Sequence, residues 1–224
     1  MPEFQLAAGA IEASYDAVAG SYAEQFFDEL SRKPFDRDVL DAFVAACPPA
    51  GRVLDVGCGP GQVAAYLVDH GVEASGVDLS PAMIETARRL TPGVDFTVGD
   101  MRRLAWTDGA LAGVTAFYSL IHIERHQVPE VLREFARVLA PGGRLLLAVH
   151  GGSGNVQRDE FLGHAVPFAA TLFTLGEIAS LVEDAGFWVD AAHQREPYSF
   201  EHPTPRIYVA AHAVPSEAPQ PEAR

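Results

Sequence analysis

Apolar residues recur along this chain with two periods that take turns. Consecutive or alternating apolar runs at 52–56, 72–78, 94–98, 113–119, 144–150, 186–193 and 206–212 predict seven strands. The gaps after the first four instead carry apolar residues three and four apart, as helices with one buried face do. Ser80-Pro81 starts one such helix, with an N-cap serine, proline at the first position, and Met83, Ile84, Ala87 and Leu90 inward. Pro129 opens another over Val131, Leu132, Phe135, Val138 and Leu139, and Pro141-Gly142-Gly143 stops it. Thr174-Leu175-Gly176-Glu177 reads as a capping box ahead of Ile178, Leu181, Val182 and Ala185. Strands alternating with helices imply a parallel sheet covered on both faces. The last two strands are joined by the proline-rich stretch Glu196 to Arg206 with no helical run, which suits an antiparallel pair. The predicted fold is α/β: a doubly wound seven-stranded sheet, mostly parallel, with an antiparallel last strand and helices on both faces.

Before the first strand the pattern is helical. Met1 to Ala10 lacks periodicity and reads as frayed. Tyr15, Val18, Tyr22 and Phe26 then fall near one face, and Gly20-Ser21 predicts two short helices or one kinked helix. This aromatic stripe packs on the domain or closes over a ligand as a lid. A second helix carries Val39, Leu40, Phe43 and Val44 inward and ends at Cys47-Pro48-Pro49. The chain divides into a helical lid segment (1–50), a main domain (51–214) with an insertion at about 151–173, and a tail (215–224) of disordered composition.

Composition removes several classes of function. The length of 224 residues and 48% hydrophobic content suit one domain with a large core. The longest apolar stretch, Leu145 to Val149, is too short to span a membrane, and the start has no positive n-region. Cys47 and Cys58 give no disulfide framework, so a reducing, cytoplasmic setting is expected. The net charge of −14 repels nucleic acid and anionic membranes, and the pairs Arg88-Arg89 and Arg102-Arg103 stand isolated. A small-molecule partner is expected, with the protein a monomer or homodimer.

The chemistry centres on Val53-Leu54-Asp55-Val56-Gly57-Cys58-Gly59-Pro60-Gly61. A strand, a glycine turn and a helix start together offer free N–H groups and a positive dipole end to a ligand. The dinucleotide fingerprint G-x-G-x-x-G does not fit, since the third glycine, Gly61, arrives one place early and Gln62 follows. Asp55 would repel a pyrophosphate. It suits a ligand that also carries positive charge, and S-adenosylmethionine, with an ammonium, a sulfonium and a carboxylate, meets that description.

Asp55 to Gly61, then Gly76-Val77-Asp78-Leu79-Ser80, Gly99-Asp100-Met101, Leu104 to Gly109 and Arg137 to Gly143 resemble the class I S-adenosylmethionine-dependent methyltransferases, closest to the small-molecule branch. The resemblance runs from about Tyr15 to Glu183 and implies the Rossmann-like methyltransferase fold. It implies that Asp55, Gly57, Cys58, Gly59 and Gly61 cradle the cofactor and that Asp78 accepts from the ribose hydroxyls, against a plain turn or cap role. Leu79 and Met83 would pack on the adenine, Asp100 and the Met101 N–H would meet its edge, and Tyr118 and Ser119 would reach the amino-acid end. Trp106 would stand near the adenine or in the core, and Tyr15 and Tyr22 would cover the cofactor. Ala112 replaces an acidic residue usual in the family at a structural position.

Methyl transfer needs placement of a nucleophile and exclusion of water, with a base where the acceptor is a hydroxyl or an acidic carbon. His122, after the fourth strand, is a candidate base, a ligand contact or a structural histidine; His150 and His126 are weaker candidates, and Glu124 is placed to orient an imidazole. Substrate contacts are expected from His150, His164 and Phe168, with Tyr198, His202 and Arg206 near the same mouth; the insertion forms a lid, or else a surface excursion or dimer contact. No zinc or magnesium spacing occurs, so no metal is expected. The expected activity is methyl transfer to O, N or C of a small molecule, such as a natural-product intermediate, yielding S-adenosylhomocysteine. The alternatives are a rearrangement or cyclisation catalyst using the same cofactor pocket, and a sensor of the cofactor.

Overall fold

A computed structural model describes residues 6–48 and 51–214. The expected tail at 215–224 and Pro49 lie outside the described residues. Among the described residues six α-helices, α1 (Ala8–Phe26), α2 (Pro34–Ala46), α3 (Gln62–Asp69), α4 (Pro81–Leu90), α5 (Val128–Val138) and α6 (Leu175–Asp184), surround nine strands. These are β1 (Val53–Val56), β2 (Ala74–Asp78), β3 (Asp95–Val98), β4 (Leu111–Phe117), β5 (Leu139–His150), β6 (Asn155–Arg158), β7 (Phe168–Thr171), β8 (Phe187–Arg195) and β9 (Arg206–Ala213).

Seven strands form one sheet in the order β3-β2-β1-β4-β5-β9-β8. The first five pair in parallel, and β9 runs antiparallel to both β5 and β8. The order reverses at β1, which lies between β2 and β4, so the crevice for a ligand opens above their carboxyl ends. Period-two alternation assigns the faces. Leu54, Val56, Val114, Leu145 and Leu147 pack with Val131, Leu132 and Phe135 of α5 and Ile178 and Val182 of α6. Val53 and Leu146 point the other way, onto Leu40 and Phe43 of α2 and Val63 and Leu67 of α3. Each such side chain, fully buried, contributes about 1.5–3 kcal/mol relative to exposure.

Local signals start two helices where expected, but α5 ends at Val138: Leu139 pairs with Leu111 as the first residue of β5, so the Pro141-Gly142-Gly143 turn lies inside the strand rather than ending the helix. Ser80 caps α4 by accepting from the Met83 N–H at 3.1 Å, and Thr174 and Glu177 complete the capping box of α6. Two further expectations change. α1 begins at Ala8 and continues through Gly20, whose surroundings are open. A helical glycine costs about 1 kcal/mol, less than the burial of Val18, Ala19 and Ala23 beneath it returns. α2, grouped by sequence with a lid, belongs to the sheet's core. The insertion carries a hairpin: β6 and β7 pair antiparallel, and the turn between them lies on α1. There the Ser14 hydroxyl donates to the Pro167 carbonyl at 2.8 Å, and Ser21 pairs with His164 at 3.1 Å.

Candidate functional site

The glycine turn is tighter than an anion cradle. Gly57, Gly59 and Gly61 all take positive φ (67°, 52° and 89°). A Cβ at Gly57 would lie 2.2 Å from that of Ser119, and one at Gly61 would meet Phe96 at 2.8 Å, so a bare backbone is required there. The turn's amides are already used. Gly57 and Cys58 donate to the Val77 carbonyl, Gly59 to Asp78 Oδ2 at 2.8 Å, and Gly61 to the Cys58 carbonyl. These four N–H groups are spent on bracing the turn, three of them against β2 and its end, and Asp78 beside the turn presents carboxylate to the space above.

Above it lies a cavity of about 340 Å³. Gly57, Gly59, Asp78, Leu79, Asp100, Met101, Tyr118 and Ser119 line it, and Tyr15, Tyr22 and His122 enclose it. Four expected cofactor residues do not line it. Cys58 is buried, its thiol pushed up by burial and packed with Ala64, Ile84, Ala87 and Phe96. Met83 lies under α1 with Val18 and Ala19, because the alternation of α4 turns it toward the lid helix and away from the ligand space. Gly61 acts only as the left-handed start of α3.

Asp55 also lies outside the lining, beneath the turn, 2% exposed. Its Oδ1 accepts from the Thr115 hydroxyl at 2.8 Å, while Oδ2 has no partner. Burial pushes its carboxyl up to about 7, against the pull of the Thr115 hydrogen bond. Gln62 Oε1, on a residue lining the cavity, is a second buried acceptor without a partner. The orphaned Gln62 acceptor, with the carboxylates of Asp78 and Asp100 on the floor and Asp55 buried beneath, fits a ligand that brings donors and positive charge, as S-adenosylmethionine does; it does not fit a pyrophosphate.

Asp78 accepts from the Gly59 and Ser80 amides at 2.8 and 2.9 Å, and burial still pushes its carboxyl upward. Asp100 is engaged by Arg102 through backbone and guanidinium, which hold its carboxyl below the usual range despite partial burial. Arg102, Gln62, Glu12 and Glu124 all line the cavity, yet no sequence motif marks the first three as ligand-facing. Trp106 packs against the core and takes Arg52 over its ring, outside the cavity.

The roof comes from distant sequence. Tyr15 Oη lies 2.6 Å from His122 Nε2, while His122 Nδ1 lies 2.8 Å from the Ala169 carbonyl. Burial lowers His122 to about 4, so the imidazole is neutral near pH 7. Phe161 packs edge-on to Tyr15, and Phe168 edge-on to His122. Asp16 ties this helix to the floor by accepting from the Ser80 hydroxyl at 2.6 Å and the Ala82 amide at 3.0 Å. An aspartate on the polar side of a helix carries no sequence mark of such a role.

The expected substrate residues do not converge on the cavity. His164 faces Ser21 on the outer side of α1, and Phe168 backs His122 from behind. Tyr198 accepts from the Phe35 amide and lies under Arg195. His150 bonds Thr204 and is lowered to about 3 by burial and Arg206, and His202 is exposed. The reason is a buried ion network that the sequence does not reveal. Lys33 pairs with Glu29 and Glu201, Arg195 with Asp36 and Glu201, and Arg206 with Glu201. It stands behind Tyr118, which takes φ 54° and bonds Tyr208 and Asp36, so the β8–β9 connection buttresses the cavity wall from outside.

A family model described as "Methyltransferase domain" matches residues 53–143. The chain is 40% identical over 114 residues to demethylmenaquinone methyltransferase of Beutenbergia cavernae, covering 50% of this chain and 45% of that one. It is 31% identical over 167 residues to the demethylmenaquinone methyltransferase of Renibacterium salmoninarum, covering 71% and 68%. Against the first of these relatives, then, the chain spans about half the length. A solved S-adenosylmethionine-dependent methyltransferase from Methanosarcina mazei superposes with TM-score 0.68 at 20% identity, over 76% of this chain and 95% of that one, a likeness of fold. Among the described residues no group of His, Cys, Asp and Glu is placed to hold a metal ion, and no helix is long and apolar enough to cross a membrane.

Proposed function

The chain belongs to the S-adenosylmethionine-dependent methyltransferases, and from that premise we propose that it methylates O, N or C of a small acceptor without negative charge, held under α1. The observation that carries this reading is the continuity of one cavity from an acidic floor to a neutral histidine under aromatic cover. When bound, the cofactor supplies a methyl carbon already activated by the adjoining sulfonium. Asp78 and Asp100 would hold the ribose and adenine ends, with Leu79 and Met101 against the ring, and Gln62 would offer an acceptor to the ammonium above the buried charge of Asp55. Tyr15 and Tyr22 exclude water above it.

The wall left for the acceptor holds Ile11, Glu12, Ile123 and Glu124 beside Tyr15 and His122. Its cation, Arg102, is bonded to Asp100. A carboxylate or phosphate acceptor would meet only like charge there, so the wall favours a neutral or cationic, largely apolar molecule. Kinship with two demethylmenaquinone methyltransferases supports a small-molecule acceptor. His122, neutral and within the cavity wall, is the sink for the acceptor's proton.

Incubation with S-adenosylmethionine and a panel of phenols, amines and carboxylates tests the reading. S-adenosylhomocysteine should form in step with methylated product for neutral hydroxyl or amine acceptors. Cofactor bound tightly but never turned over, across the panel, would favour a sensor or a non-methylating catalyst.

A further inference from the structure

His122 is held by two hydrogen bonds whose directions are not interchangeable. The Ala169 carbonyl can only accept, so the proton of the neutral ring is on Nδ1. Nε2 is then a lone pair, and at 2.6 Å it obliges Tyr15 to donate its hydroxyl hydrogen. The other neighbours of Tyr15 are the rings of Tyr22 and Phe161, which leave the second side of its oxygen unclaimed. Tyr15 lines the cavity. What it shows a ligand is thus a hydrogen-bond acceptor whose own hydrogen is locked away, 107 residues from the histidine that locks it.

We propose that Tyr15 recognises the acceptor's reacting O–H or N–H and passes its proton to His122. This rests on the methyl-transfer reading above and deepens it. The acceptor's heteroatom–hydrogen bond breaks as its proton moves to Tyr15 Oη, and Tyr15's own proton moves to His122 Nε2. The electron pair left on the acceptor forms the bond to the methyl carbon, with neutral S-adenosylhomocysteine as the leaving group. His122 ends as an imidazolium with Nδ1–H on the Ala169 carbonyl and Nε2–H on Tyr15, and loses the extra proton to solvent as product leaves. Direct transfer from acceptor to His122 would require Tyr15 to vacate Nε2 first. The arrangement also selects: a molecule without a hydrogen at the reacting atom leaves Tyr15 unpaired and is disfavoured.

The test needs no turnover. With S-adenosylhomocysteine bound, p-cresol, which stays un-ionised near pH 7, and its methyl ether 4-methylanisole are compared as probes by equilibrium binding. Wild type should prefer the phenol by about tenfold, the worth of one hydrogen bond. Tyr15→Phe alone leaves the His122 Nε2 lone pair free to accept from the phenol, so the ratio is read in His122→Ala, where the freed Tyr15 hydroxyl serves either probe, and in the double variant Tyr15→Phe/His122→Ala; both should bring it near one. Nitrogen-15 NMR of labelled histidine should find His122 protonated on Nδ1 in wild type. An Nε2–H tautomer, no preference in wild type, or a wild-type preference kept in His122→Ala or in the double variant overturns the proposal. If wild type does not bind S-adenosylhomocysteine at all, the methyl-transfer reading falls first.

Discussion

The floor and the roof of the cavity are built by different means. The floor is local: β1, its glycine turn and the ends of β2 and β3 bring Gly57, Gly59, Asp78 and Asp100 together through neighbouring parallel strands. Its bonds run between turn and adjacent strand, such as Gly59 to Asp78. The roof is assembled from three remote segments, with Tyr15 on α1, His122 after β4 and Ala169 on β7. A few hydrogen bonds fasten it, among them Ser14 to Pro167 and Asp16 to Ser80. The difference teaches that, on the proposed reading, cofactor recognition would be set by the sheet itself, and acceptor recognition by how α1 and the β6–β7 hairpin settle on it. Segments held by few polar bonds also open at lower free-energy cost than sheet strands, which suits a cover that must admit two ligands.

Breaking the floor should give the largest effect. Asp78→Ala removes two amide-to-carboxylate bonds as well as the ligand contact, each charge-assisted bond being worth about 1.5–3 kcal/mol. Cofactor affinity should fall at least tenfold by calorimetry with no acceptor present, and undiminished affinity would remove Asp78 from the site. Loosening the roof should cost less and elsewhere. Ser14→Ala deletes one buried bond, about 1 kcal/mol, so KM for the acceptor should rise several-fold while cofactor affinity holds. Equal loss of both would erase the distinction between the two halves.

The smallest effect is a fraction of a proton. Asp55, pushed up to about 7 by burial, is partly protonated at pH 7 in the ligand-free protein. A bound cation favours its charged form, so its pKa falls and protons are released on binding. Calorimetry in two buffers of different ionisation enthalpy should show this release near pH 7, fading at higher pH and absent in Asp55→Asn. The same raised carboxyl makes the ligand-free fold lose stability as pH climbs from its ordinary value of 3.8 through about 7.

The sequence by itself determined the sheet, the helix caps at Ser80 and Thr174, the position of the cofactor turn and the parallel-to-antiparallel change at the last strands. These rest on periodicity, turn chemistry and short motifs, which act over a few residues. Tertiary structure alone decided that the glycine amides are spent on Val77 and Asp78, that Cys58 and Met83 face the core and the lid helix, and that His150, Tyr198 and Arg206 stand behind Tyr118. It also decided the pairing of Tyr15 with His122. No local rule sets which lone pair of a buried histidine meets which hydroxyl more than a hundred residues away. That choice depends on where α1 comes to rest, and α1 rests where Val18 and Ala19 find Met83 and Asp16 finds Ser80.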